Sequence, residues 1–261
     1  MQKEYISGQR GYSIPCVYNI KGNEKAVCII VHGFGSSKDS TTATMMLNEL
    51  PLLGIGAIAL DLPAHGDSGV DGGFLRLDNC TADLAAVEAR ARGLAQEPEI
   101  IYFGSSFGAY ITLIYLAGRA KSNRSASLRR AFLRCAAVSM PRLFNLETTQ
   151  EQRARLEATG EIILSKDEYG YARDLKITQG FYDDLQRYDA FAFWREGFAQ
   201  LRMIHGGSDE TVPLADAQAF AGKFHVPLTI VPNGDHSLST PGAPELVLKL
   251  ASEFFAGALA T

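Results

Sequence analysis

Short blocks of consecutive apolar residues recur along the chain, each too brief to form one face of an amphipathic helix. They occupy residues 26–31, 55–60, 100–103, 131–138, 201–204 and 227–231. Blocks of this length, rich in Val and Ile and lacking alternation, are what strands covered on both faces require. Between them lie stretches with helical spacing at residues 83–90, 107–117, 214–224 and 244–256. Strand alternating with helix predicts parallel strands joined by crossover helices, hence an α/β, doubly wound sheet with helices on both faces. The first twenty residues alternate loosely around glycines and predict an antiparallel pair at the sheet edge. Ligands of such sheets bind beyond the carboxyl ends of the strands, which directs attention there.

One interval breaks the rhythm. Residues 141–197 carry nine aromatic side chains among many charges. Within it, residues 161–164 and 171–177 predict a small hairpin across 166–170. Thr178 then stands as an N-cap for a helix through Asp183, Asp184 and Leu185, with both aspartates on its solvated face. The expectation is one domain over 1–261 with 141–197 as a lid inserted into it.

Bulk properties narrow the function classes. The 261 residues are 46% hydrophobic and 21% charged, with a formal net charge of −4, ordinary for a globular enzyme and without the basic footprint of a nucleic-acid binder. No run approaches the 18 apolar residues of a membrane span, and residues 1–5 lack the pattern of a secretory signal. A cytoplasmic protein with no nucleic-acid or membrane partner is expected. The four cysteines, Cys16, Cys28, Cys80 and Cys135, have no metal-ligand spacing and read as buried thiols.

Each predicted strand delivers a distinctive group at its carboxyl end. The block ending at Phe103 runs into Gly104-Ser105-Ser106-Phe107-Gly108 and then a helix. A serine hydroxyl must be lifted from the sheet to meet both a base and a substrate, and a sharp strand-to-helix turn does so. That turn crowds the positions two before and two after the serine, where glycine relieves the clash. Centring on Ser105 would put Phe103 and Phe107 there, so Ser106 is the candidate nucleophile and Ser105 a bystander.

Of the five histidines, His32, His65 and His205 each precede a glycine directly after a strand and read as turn residues. His225, at a helix end, reads as a solvated cap. His236 follows the last strand in a polar turn and is the candidate base. Asp209, 27 residues earlier in a Gly-Gly-Ser-Asp turn, is the candidate orienting acid. Asp235 adjoins His236 and reads as a loop stabiliser, because neighbouring side chains on extended backbone diverge. Asp61 reads as a turn residue that binds backbone amides. Backbone N–H groups of Phe34 and Phe107 are the expected donors to a developing oxyanion, Phe107 also opening a helix. A metal held by His32, His65 and His205 is the weaker alternative, so no metal or other cofactor is expected.

These motifs together resemble the α/β-hydrolase family over nearly the whole chain. His32-Gly33-Phe34-Gly35 is similar to its oxyanion loop, and residues 61–68 to its Asp-x-Pro-Gly-His-Gly-x-Ser turn with Ala64 in a glycine position. His205-Gly206-Gly207-Ser208-Asp209 resembles the acid loop and Gly234-Asp235-His236 the histidine loop. The order Ser106, Asp209, His236 is the family's order. The hairpin-then-helix layout of the insertion more loosely resembles the lid of bacterial cinnamoyl and feruloyl esterases. The resemblance implies a serine carboxylesterase acting on a small-molecule ester, with Tyr169, Tyr171, Phe181 and Trp194 as candidate substrate contacts. Thioesterase or amide and peptide hydrolysis, and a hydrolase-like receptor, stay open, as does a homodimer.

Overall fold

The computed structural model describes residues 1–122 and 129–259. In chain order the elements are β1 (Gln2–Ser7), β2 (Ser13–Asn19), β3 (Ala26–Val31), α1 (Thr41–Glu49), β4 (Ile55–Leu60), α2 (Leu77–Leu94), β5 (Glu99–Ser105) and α3 (Phe107–Ser122). After β6 (Arg129–Arg134) come α4 (Met140–Glu147), α5 (Gln150–Thr159), β7 (Glu161–Leu164), α6 (Lys166–Tyr169), β8 (Leu175–Thr178), α7 (Gln179–Arg187) and α8 (Ala190–Phe193). The chain then forms β9 (Ala199–Gly206), α9 (Leu214–Phe224), β10 (Leu228–Val231) and α10 (Ala243–Leu259).

Eight strands form one sheet in the order β1-β2-β4-β3-β5-β6-β9-β10. β1 and β2 are antiparallel and the remaining strands parallel, as the alternation of blocks and helices predicts. The apolar blocks divide their side chains between two cores. Val27, Ile29 and Val31 of β3 belong to the core on the face covered by α2, α3 and α9, while Ala26, Cys28 and Ile30 belong to the core on the face covered by α1 and α10. This two-sided burial is why the blocks carry no polar alternation. All four cysteines are buried free thiols. No helix among the described residues is long and apolar enough to cross a membrane.

Boundaries differ from the sequence pattern where backbone geometry intervenes. The block 131–138 stops being strand at Arg134 because Cys135 takes a left-handed conformation (φ 45°). Helix α1 lies outside the predicted helical stretches, because its only buried side chains, Ala43, Met46 and Leu47, leave too little apolar periodicity. The hairpin of residues 161–178 pairs β7 with β8 as a separate two-stranded sheet, but residues 171–174 do not extend β8. They turn away, with Arg173 donating to the Ser68 carbonyl at 2.8 Å and Asp174 accepting from the Lys166 amide at 2.8 Å. Thr178 occupies the N-cap position of α7 without a side-chain capping bond.

Asp184 corrects the expectation of a solvated face. It is 2% exposed and receives two hydrogen bonds from Arg76 and one from the Leu77 amide at 2.9 Å. Its carboxylate thereby closes the amino end of α2 from across the chain, a long-range cap that local periodicity does not announce. Asp183, by contrast, is exposed.

Glu88 of α2 is a second buried carboxylate. It accepts from Tyr102 at 2.7 Å and Tyr115 at 2.5 Å, and pairs with Arg92 and Arg129. Burial alone would raise its pKa, but the two phenols and the guanidiniums outweigh burial and pull it from 4.5 to about 2. A carboxyl depressed in the folded chain contributes stability above its unfolded pKa and loses it as the folded pKa is approached. We expect Glu88→Gln to cost on the order of 3 kcal/mol near neutrality, the gap from wild type closing between about pH 4.5 and pH 2. Urea unfolding across that range checks this; a gap that stays constant with pH would refute it.

Candidate active site

Strands β3 and β5 are hydrogen-bonded neighbours, with Val31 opposite Gly104. β4 lies on the far side of β3, so the winding direction reverses between β3 and β5. The loop His32-Gly33-Phe34-Gly35 and the turn at Ser106 therefore open onto one crevice. Ser106 adopts φ 52°, the left-handed region that an L-residue enters only when its surroundings force it. Its amide donates to the Arg134 carbonyl at 2.8 Å.

Both flanking glycines are sterically required. A Cβ on Gly104 would lie 2.6 Å from Ala109 Cα, and one on Gly108 would collide with the Val31 and His32 carbonyl oxygens. Ser105 ends β5 with its hydroxyl turned to Arg134, so it takes the bystander position expected of it.

The structure brings Ser106, Asp209 and His236 together. His236 Nε2 is 3.0 Å from Ser106 Oγ, and its Nδ1 is 2.9 and 3.0 Å from the two Asp209 oxygens. Nδ1 faces only a carboxylate, so it carries the hydrogen and leaves Nε2 as an acceptor for the serine proton. The Asp209 side chain is fully buried. Burial pushes its pKa up, but bonds from His205, His236 and the Val212 amide outweigh this and hold it well below the usual carboxylate range. Asp235 does not reach the imidazole; it accepts from the Ser239 amide at 2.7 Å and hydroxyl at 2.6 Å, stabilising its own loop.

The Phe34 and Phe107 amides donate to no other described residue, which leaves both able to serve a bound oxygen. With a base at Ser106 and two free donors beside it, the arrangement can form and stabilise a tetrahedral oxyanion.

The turn histidines are as expected, with one addition. His32 accepts the Leu62 amide at 3.1 Å and His65 contacts the Pro63 carbonyl at 2.9 Å. Burial lowers their pKa to about 4 and about 3. Asp61 accepts the Lys38 and Asp67 amides at 2.7 and 2.8 Å, and also binds the buried Lys38 ammonium at 2.9 Å. His225 caps α9 at the surface beside Glu196. His205, however, does more than occupy a turn. Its Nε2 lies 2.9 Å from the Val212 carbonyl and 3.1 Å from Asp209, so it braces the acid from behind. The four-residue spacing from His205 to Asp209 was visible in sequence, but not the loop that folds one back onto the other.

Three metal-type donor atoms approach within 4.8 Å of one another at Cys135, Asp209 and His236. Two of these side chains are already bonded to each other, and burial pushes the Cys135 thiol up to about 12, so it is neutral. The three strand-end histidines do not gather at one point: His205 faces Asp209, while the His32 and His65 rings lie 5.3 Å apart, with His32 accepting from Leu62 and His65 meeting Pro63.

The segment between β6 and β9 covers part of the crevice. Phe34 sits edge-to-face against Phe107, Phe144 and Tyr171, and the Ala172 amide donates to the Gly35 carbonyl at 2.8 Å. Tyr169 and Tyr171 line an 810 Å³ cavity on this side of Ser106, together with Phe144 and Glu147. Phe181 and Trp194 do not line it. Both are at most 1% exposed and pack into the interior, Phe181 against Phe34, Phe107 and Phe144, and Trp194 against Phe198.

The chain belongs to the alpha/beta hydrolase family, whose profile matches residues 28–250. No curated protein matches it by sequence. Among solved structures, it is similar to Est1E from Butyrivibrio proteoclasticus with ferulic acid bound, with TM-score 0.82 and 18% identity over 99% of this chain and 100% of that one. The mouse alpha/beta hydrolase domain-containing protein 10 superposes with TM-score 0.77 and 16% identity, covering 98% and 99%. The alpha/beta hydrolase GrgF from Penicillium sp. sh18 gives TM-score 0.75 and 16% identity, covering 100% and 99%. At these identities the likeness is one of fold.

Two glycines of α3 test the reading of the elbow. Gly108→Ala should cost at least about 3 kcal/mol or abolish soluble protein, since its methyl meets backbone that cannot yield. Gly118→Ala, where nothing lies within 4 Å, should stabilise by up to about 1 kcal/mol. Denaturant midpoints of the two variants check the contrast, and equal effects would contradict it.

Proposed function

We propose that this chain is a serine hydrolase that cleaves a small carboxylic ester through an acyl-enzyme on Ser106. The observation that carries the reading is the His236 ring, bonded to Ser106 Oγ on one side and to Asp209 on the other. His236 takes the serine proton as Oγ attacks the ester carbonyl, and the resulting oxyanion accepts from the Phe34 and Phe107 amides. Collapse of that intermediate expels the alcohol, which leaves with the proton from the imidazolium. Water then adds to the acyl group with His236 again as base, and the acid departs as Ser106 regains its hydrogen. Asp209 keeps the imidazole in the reactive tautomer and stabilises its charged form.

Residues 141–197 act in this reading as a lid over the reacting bond, with Tyr169 and Tyr171 facing the cavity that receives one arm of the ester. Est1E, similar in fold, binds ferulic acid, which supports an aromatic acyl group here. A thioester or amide would pass through the same intermediates, so the choice of ester rests on the lid and the fold relatives rather than on the triad.

Active-site labelling with a fluorophosphonate, followed by assay on p-nitrophenyl acetate and methyl hydroxycinnamates, tests the assignment. Ser106→Ala should abolish labelling and lower kcat by roughly 10⁴-fold or more. Asp209→Asn should lower kcat by about 10⁴-fold through the wrong tautomer, while Asp235→Asn keeps most of the activity. Full turnover by Ser106→Ala would end the proposal.

A further inference from the structure

A second cavity, of about 510 Å³, is lined by Ser106 but by neither Tyr169 nor Tyr171. Ser106 and His236 line both cavities, so both open at the serine hydroxyl. The only charged side chain in this second lining is Arg134, at the carboxyl end of β6. Arg134 is 6% exposed. Its guanidinium donates to Ser105 Oγ at 2.5 Å, to the His236 carbonyl at 3.2 Å and to the Ser237 carbonyl. All three partners are neutral oxygens. Among the described residues no carboxylate pairs with it within 4.0 Å, and Asp209 and Asp235 attract it only from further away. Asp209 is engaged by His236 and Asp235 by Ser239.

A guanidinium does not lose its charge, and a buried charge calls for a counter-ion. Two further features of the cavity favour an anion. The amino end of α1 opens into it at Ser40, Thr41 and Thr42, bringing the positive end of a nine-residue helix to the wall. Ser36, Ser105 and Ser237 add hydroxyls, and the lining holds no acidic side chain. The cavity on the lid side shares Ser36, Ser40 and Ser237, but its lining includes Glu147 and no Lys or Arg.

We propose that the Arg134 cavity is a carboxylate-binding subsite, so that the substrate is an ester with one anionic arm lying against Arg134 and an uncharged arm under residues 141–197. This deepens the serine-hydrolase reading and rests on it for turnover, though not for binding. Arg134 also ties the Ser105 hydroxyl to the carbonyls beside His236, so its loss loosens the histidine loop and lowers all turnover. The informative quantity is therefore a ratio between matched esters.

Two pairs probe the two arms: 4-acetoxybenzoate against 4-acetoxybenzamide for the alcohol side, and mono-4-nitrophenyl glutarate against 4-nitrophenyl 4-carbamoylbutanoate for the acyl side. Wild type should favour the carboxylate member of one pair by roughly tenfold or more in kcat/KM, the size of a charge-assisted hydrogen bond. Arg134→Gln should bring that ratio to about one or below, and Arg134→Lys should keep part of it. A wild-type ratio at or below one in both pairs, or a ratio unmoved by Arg134→Gln, overturns the subsite while leaving Ser106 chemistry intact. If the Arg134 variants do not fold, competition on wild type decides: 4-hydroxybenzoate or glutarate should inhibit neutral-ester hydrolysis more than 4-hydroxybenzamide or glutaramide, and equal inhibition overturns the proposal. If no ester is turned over, the hydrolase reading fails, and the subsite is judged by binding alone. A larger rise in wild-type Tm with 4-hydroxybenzoate or glutarate than with the matching amide supports it, and equal shifts with both pairs refute it.

Discussion

The turn that carries Ser106 is the constraint around which the site is organised. A residue with a side chain is held in the left-handed region while strand β5 passes directly into helix α3. Such backbone persists only where its surroundings over-determine it. Here they do so through the bond from the Ser106 amide to Arg134 on the neighbouring strand, and through contact so close at Gly108 that no Cβ fits against the Val31 and His32 carbonyls. The same closeness brings the Phe34 loop beside the serine. The position of the Ser106 hydroxyl and that of the Phe34 loop are thus consequences of one packing decision.

The partners of the serine are held by the same logic of shared contacts. Asp209 is buried, yet it stays ionised because His205, His236 and two loop amides converge on it. The acid and histidine loops are stitched directly, with the Gly207 and Ser208 amides donating to the Val231 and Gly234 carbonyls. Arg134 also reaches the histidine loop, donating to the His236 and Ser237 carbonyls. The loop that carries the imidazole is therefore tied both to the acid loop and to the end of β6.

Aromatic packing joins this machinery to the segment between β6 and β9. Phe34 contributes its amide to the crevice and its ring to a cluster with Phe107, Phe144, Tyr171 and Phe181. A movement of that segment would be felt at the Phe34 loop, since Tyr171 also lies against Gly35. The aromatics divide by depth: Tyr169 and Tyr171 face the cavity, whereas Phe181 and Trp194 build the base on which the segment rests. That division could not be drawn from residue type, because a ring serves either purpose equally well.

Much of this protein was legible in its amino-acid order. Unbroken apolar blocks identified the two-sided sheet, because a strand covered on both faces has no polar register to display. The elbow at Ser106, the turn glycines and the succession Ser106, Asp209, His236 followed from local steric demands and chain order. What escaped is what depends on distant chain segments meeting. Asp184 looks like a solvated helix residue until α2 arrives with Arg76 and a bare Leu77 amide. Arg134 reads as one more residue of an apolar block until its charge is found buried beside Ser106 without a carboxylate. His205 becomes a support for Asp209 only once its loop closes. Local order states which chemistry each segment can bear; long-range contact alone decides which charges are buried together, because burial is a property of the packed chain and not of any one segment.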